Sequence, residues 1–206
     1  IEAVRETIRC ANDIGVRYLT IYSFSTENWK RPQDEVVGLM DLFAKTMLAE
    51  VDGLHEERVR VRTIGDLSML PEETRRAFDE AWEKTKDNDG MTLLVAVNYG
   101  GRQDILNAAA RYAKAAVAAA EEGRPAPALT EASFSRLLST DDAPDPDLLI
   151  RTSGEMRVSN FLLWEIAYAE FVCTDVLWPD FDRYEFLRAL LEYQARDRRF
   201  GGVQQA

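Results

Sequence analysis

Apolar residues recur at Ala3, Val4, Ile8, Ala11 and Ile14, a spacing that predicts one face of an α-helix over 2–14, closed by Gly15. The β-rich run Tyr18–Tyr22 predicts a short strand, and residues 24–32 read as a polar loop with aromatic punctuation. A long helix is predicted over 34–54, with a wide apolar face that includes Val36, Leu39, Met40, Phe43, Met47 and Val51. Residues 59–64 alternate as a strand and turn at Gly65-Asp66; Pro71 opens a helix running to about Lys86. Leu93–Val97 is a continuous apolar run, the mark of a strand buried on both faces. Gly100-Gly101 turns into an alanine-rich helix over roughly 103–122, and a shorter helix is expected near 131–138. The last third predicts a strand at 148–151, a helix over 161–168, a short strand at Val176-Leu177-Trp178 and a helix over 183–198. Strands alternate with helices, which predicts an α/β fold: a mainly parallel sheet flanked by helices, joined by right-handed crossovers.

At 206 residues the chain suits one domain, 1–206, with a sizeable core. The linker-like patch 123–127 is too short to separate two domains. Net charge is −11, which argues against non-specific nucleic-acid binding but permits a local cluster of arginines to hold an anion. Cys10 and Cys173 lie in apolar surroundings and read as buried thiols; no Cys/His spacing suggests zinc, and the lone His55 rules against a histidine-centred triad. No apolar run is long enough for a transmembrane helix. The first residue is Ile, so the sequence is expected to start inside a longer protein.

Two segments concentrate chemistry. Arg151-Thr152-Ser153-Gly154-Glu155-Met156-Arg157-Val158-Ser159-Asn160 follows a predicted strand, and its arginine forks and hydroxyl suit a diphosphate at a strand's carboxyl end. Ser23–Pro32 also sits between strand and helix, and its polar groups exceed what one helix cap requires. The turn Asn98-Tyr99-Gly100-Gly101-Arg102 matches no phosphate-binding fingerprint and reads better as close packing than as an anion site. Glu155 and Glu170 are candidate carboxylates for a hard divalent cation. Arg198, Arg199 and Gly201 form either an anion clamp or a basic helix end.

Taken together, these segments resemble the cis-prenyltransferases, the undecaprenyl (or polyprenyl) diphosphate synthase family. The matching stretches run in order: Phe24–Pro32, Ile64-Gly65-Asp66, Asn98–Arg102, Pro146–Glu155, Ser159–Trp164, Ala167–Glu170, Trp178–Phe181 and Arg198–Gly202. The resemblance implies a six-stranded, mainly parallel sheet with an apolar substrate tunnel, usually in a homodimer. It implies condensation of isopentenyl diphosphate with an allylic diphosphate such as farnesyl or geranyl diphosphate, with Mg²⁺, by a cytoplasmic enzyme working near the membrane. Residue by residue, Arg151, Arg157, Val158 and Ser159 would bind the diphosphate of isopentenyl diphosphate. Ser25, Thr26, Glu27, Trp29 and Arg31 would contact substrate or close over it, Asn28 would assist proton removal, and Glu170 would help hold Mg²⁺. Arg199 and Gly201 would reach the partner subunit's site. Met47, Met91 and Leu93 are candidates for the tunnel floor.

Two departures stand out. The family's Asp-Gly-Asn-Gly-Arg-Trp-Ala segment, with its catalytic aspartate, does not occur in these 206 residues, so it and the first strand are expected upstream of Ile1. The chain as it stands is then expected to be inactive. Met156 stands where some members have histidine, and a thioether is a poor ligand for a hard cation. The alternative is a non-catalytic partner subunit of the same family, against which the retention of Asn28, Arg151, Glu155, Arg157 and Glu170 counts.

Overall fold

The computed structural model describes residues 1–196. In chain order the elements are α1 (Glu2–Asp13), β1 (Tyr18–Ser25), α2 (Gln33–Glu56), β2 (Arg60–Ile64), α3 (Glu72–Thr85), β3 (Thr92–Tyr99), α4 (Gly101–Glu121), α5 (Glu131–Ser135), β4 (Leu148–Arg151), β5 (Glu170–Cys173) and α6 (Arg183–Gln194). All strand pairings are parallel. β3 is the central strand, as its apolar run predicts, and every one of its residues is buried. Side chains alternate across a strand, and here the alternation divides the core. Leu93, Val95 and Val97 pack with Ile8, Met40 and Phe78 on one face. Leu94 and Ala96 pack with Ile64, Leu149 and Phe161 on the other.

The expectation of one six-stranded sheet is not met among the described residues. β1-β3-β2 form one sheet and β4-β5 a second. The reason lies at the outer edges of β1 and β4, which do not pair with each other. They face across a cavity of about 700 Å³, lined continuously by 16–23 on one side and 143–152 on the other.

Local corrections have local causes. β1 runs on to Ser25, and the predicted loop 24–32 contains a 3-10 turn over Thr26–Lys30. The β1–β3 register shifts at Phe24 and again before Ser25, an irregularity of the kind that re-aims side chains at a strand end. The predicted helix 161–168 shrinks to a 3-10 turn over Glu165–Tyr168 because Asn160 (φ 62°) and Leu162 (φ 43°) are left-handed and cannot continue a right-handed helix. The last strand lies at Glu170–Cys173, not 176–178, because that segment meets β4 in register. The Val176 carbonyl accepts from the Ser153 N–H instead, and Trp178–Asp180 is a 3-10 turn containing Pro179, which has no N–H for a ladder. Cys10 is buried, but Cys173 is exposed, against expectation.

Candidate active site at the carboxyl ends of the strands

Three strand ends meet here. The turn after β1 is held by its own polar residues: the Asn28 side-chain oxygen accepts the Ser25 backbone N–H at 2.8 Å, half of a capping box with Ser25. The Trp29 indole N–H donates to the Asn98 side-chain oxygen at 2.8 Å, and its ring packs edge-on against Phe24. Arg31 is exposed and pairs with Glu35 one helical turn away. Desolvation acts upward on the Glu27 carboxyl. Hydrogen bonds from its own backbone N–H, Asn160, Ser25 and Thr26 outweigh it and hold the group below the usual carboxylate range.

The loop after β4 is arranged differently. Arg151 and Arg157 both ion-pair with the Glu155 carboxylate, and the hydrogen bond from Arg151, with help from Arg157, holds that carboxyl below its usual range. Arg151 Nε is buried with no protein hydrogen-bond partner. Ser153, Ser159, Asn160 and Leu162 all have positive φ, and Gly154 does too. So many left-handed non-glycine residues in one short segment mark backbone strain of the sort concentrated at binding sites. Val158 is half-buried, Ser159 exposed, and Met156 is 87% exposed.

The turn after β3 joins the two. Gly100 is needed for close approach: a Cβ there would meet Asn160 Nδ2 and Thr26 Oγ1, each at 2.7 Å. The Gly101 N–H donates to the Asn160 carbonyl at 2.7 Å and the Arg102 N–H to the Asn160 side-chain oxygen at 2.9 Å. These first amides of α4 are thus engaged by protein, which fits the packing reading of the Gly-Gly turn. Asn98 and Asn160 are the residues whose roles sequence reasoning missed, although both lie inside quoted motifs. The available signal was an asparagine at the end of an apolar strand run or directly after a hydroxyl residue, since asparagine tolerates the left-handed region.

Arg151, Arg157 and Val158 line one end of the large cavity, along with Thr152. A second, apolar cavity of about 210 Å³ lies between α1 and α2, walled by Ile8, Phe43, Met47, Leu54 and Leu93. The two cavities share Val4, Ile21, Ser23 and Phe43. Met47 and Leu93 reach the apolar cavity; Met91 is packed in the core instead.

Glu170 is not brought to the arginines. It opens β5 opposite Leu148, whereas Arg151 lies opposite Cys173, three residues on and about 10 Å along the strand pair. Its carboxylate accepts from Arg196 at 3.0 Å. Mg²⁺ typically takes one or two carboxylates plus phosphate oxygens. Glu170 is a carboxylate of that kind, but no group of three or more His, Cys, Asp or Glu residues that could hold a metal occurs among the described residues. These residues do not by themselves assemble a magnesium site. Arg199 and Gly201 lie outside the described residues.

The family described as "Putative undecaprenyl diphosphate synthase" matches residues 1–201. An isoprenyl transferase of Bacillus subtilis is 51% identical over 206 residues, covering 98% of this chain and 77% of that protein. The structure resembles lavandulyl diphosphate synthase from Lavandula x intermedia, solved in complex with dimethylallyl diphosphate. The TM-score is 0.91 at 37% identity, covering 97% of this chain and 85% of that one. It also resembles a probable undecaprenyl diphosphate synthase from Campylobacter jejuni, with TM-score 0.82 at 32% identity, covering 97% and 90%. An arginine-bearing strand end beside an apolar cavity agrees with these likenesses, and the chain belongs to the undecaprenyl diphosphate synthase family of prenyltransferases.

Proposed function

We propose that the protein, in its full-length form, is a cis-polyprenyl diphosphate synthase that condenses isopentenyl diphosphate with an allylic diphosphate. The observation that carries this is the arginine-bearing end of β4 close to an apolar cavity. Arg151 and Arg157 provide charge at a strand end, with Arg151 Nε unmatched by protein, and an apolar cavity shares walls with that space. A diphosphate with a hydrocarbon tail needs that combination.

In this reading Arg151, Arg157, Val158 and Ser159 bind the diphosphate of isopentenyl diphosphate, which displaces the Glu155 carboxylate from between the arginines. Ser25, Thr26 and Glu27 contact substrate, and Trp29 and Arg31 close over it. The allylic carbon–oxygen bond breaks, diphosphate leaves, and a carbon–carbon bond forms to isopentenyl diphosphate. The intermediate then gives up a proton to the departed diphosphate, which leaves a cis double bond, and Asn28 would assist by hydrogen bonding during that transfer. The Asn28 side-chain oxygen is occupied by the Ser25 N–H, so the turn must loosen for that oxygen to take part.

The slot between β1 and β4 supports a sixth strand. An extended segment seated there would join the two sheets. A divalent cation belongs to the proposal: Glu170 would be one of the residues that hold it, and the ion would stabilise charge on the departing diphosphate. A Glu170→Gln variant with weaker apparent Mg²⁺ affinity supports that role; an unchanged titration assigns Glu170 to holding Arg196 alone. A homodimer, with the Arg199 and Gly201 tail reaching the partner's site, and membrane-proximal work in the cytoplasm are parts of the same reading. No helix among the described residues is long and apolar enough to cross a membrane.

The deciding experiment incubates full-length protein with labelled isopentenyl diphosphate, farnesyl diphosphate and Mg²⁺ and resolves the products by chain length. Elongated products are expected. No elongation with any allylic primer would overturn the reading in favour of the non-catalytic partner subunit.

A further inference from the structure

Asn160 has both ends of its side-chain amide in use. Its oxygen accepts the Arg102 N–H at 2.9 Å, and its Nδ2 donates to Glu27 Oε1 at 2.9 Å. The first contact stands in for a cap, since the residue before α4 is Gly100, which has no side chain to satisfy an exposed helix amide. The second reaches across the cleft to the turn after β1. The amide orientation follows from the network: reversed, the oxygen would face the Glu27 carboxylate and the NH₂ would face another N–H. Asn160 is held left-handed at φ 62° directly after Ser159, which is left-handed at 48°.

The same turn is held a second time. Trp29 donates to Asn98, another left-handed asparagine (φ 48°), whose Nδ2 donates in turn to the Asp66 carbonyl. Glu27 is thus tied to the loop after β4 and Trp29 to the end of β3, and Asn28 is the residue between them.

We propose that Asn160 is a positioning residue that couples the arginine loop to the Thr26–Lys30 turn, so that the geometry of the diphosphate-binding segment sets the placement of Asn28. This rests on the prenyltransferase reading through Asn28; the Asn160–Glu27 coupling itself does not. A bound diphosphate on Arg157 and Ser159 would act on the backbone that carries Asn160, and the amide would pass that constraint to Glu27.

Asn160→Asp separates the two contacts. Aspartate still accepts from the Arg102 N–H, so α4 keeps its cap, but it sets a second carboxylate against Glu27. The test measures Asn160→Asp in the wild-type background and in Glu27→Gln, where a glutamine amide can donate to the new carboxylate. Two readouts are taken: turnover of isopentenyl diphosphate with farnesyl diphosphate, and thermal unfolding without substrate. The expected result is a loss of kcat of tenfold or more in the wild-type background and less than twofold in Glu27→Gln. KM for isopentenyl diphosphate should move less than kcat, because Arg157 and Ser159 are intact. The melting temperature should show the same non-additivity. Equal losses in both backgrounds would make Asn160 a structural cap alone and overturn the proposal, as would an unchanged kcat in the single variant. If the wild-type enzyme makes no product, the prenyltransferase reading fails. The unfolding cycle then decides the coupling: additive melting shifts overturn it, and non-additive ones support it.

Discussion

The two strand-end segments of the site contain similar residue types and use them in opposite ways. After β1, the polar groups are engaged with protein: Asn28 with Ser25, Trp29 with Asn98, Glu27 with Asn160 and Thr26. After β4, two arginines share one carboxylate, a guanidinium nitrogen is buried without a partner, and four non-glycine residues are left-handed. The first segment is organised before any ligand arrives. The second holds unmatched charge and strained backbone, both of which an anionic ligand would relieve. The half of the molecule that contains β1, β3 and β2 supplies the hydrogen-bonded frame, and the β4–β5 half supplies the binding charge.

The largest expected effect falls on the unmatched side. Arg157→Ala removes a charge-assisted contact to the diphosphate, of about 1.5–3 kcal/mol. It should raise KM for isopentenyl diphosphate roughly 10- to 100-fold, with little change in melting temperature because the side chain is 65% exposed. Steady-state kinetics at saturating allylic primer check this, and an unchanged KM would remove Arg157 from the ligand. On the organised side the balance should reverse. Trp29→Phe keeps the ring contact with Phe24 but leaves the Asn98 oxygen, in a residue 4% exposed, without its donor. The cost is about 1–3 kcal/mol, seen as a melting temperature lower by roughly 2–10 °C. A variant that melts with the wild type would show that the turn is not tied through the indole.

Much of this contrast is legible in the sequence, for a physical reason. The apolar run at 93–97 has only one place in an α/β sheet, and Arg151 closes a strand that lies where the sequence predicts it. What sequence could not give is where left-handed residues fall. Asn160 and Leu162 end a helix that periodicity extends over 161–168, because periodicity reports which side chains are apolar and not the sign of φ. The same limit hides Asn98 and Asn160 as tethers, since their partners lie 69 and 133 positions away. Glu170 shows the same limit from the other side: its motif suggests a ligand, and only the pairing with β4 reveals that it opens β5 at the opposite end of the strand pair from Arg151. The split sheet was beyond reach too, because pairing depends on which edges meet and not on either strand's own residues.

The smallest expected effect tests whether tension in the β4–β5 half extends below the surface. Glu165 is 5% exposed and accepts a hydrogen bond from the Thr140 hydroxyl at 2.8 Å. Burial raises its carboxyl above the usual range, and the nearby acids Asp104 and Asp145 add to that, against the lowering effect of Thr140 and its own backbone N–H. A raised acid binds its proton more tightly folded than unfolded. Its contribution is therefore favourable below the unfolded value and is lost as pH rises from there through the folded value. Asn98, a buried polar group of the frame half, carries no charge and has no such dependence. Glu165→Gln keeps an acceptor for Thr140 and cannot ionise. Its melting temperature should exceed that of the wild type at pH 7, and the gap should narrow as pH falls toward 4. Parallel melting curves across that range would show that Glu165 ionises without cost. The strain of this half would then be confined to the arginine loop, where ligand binding can release it.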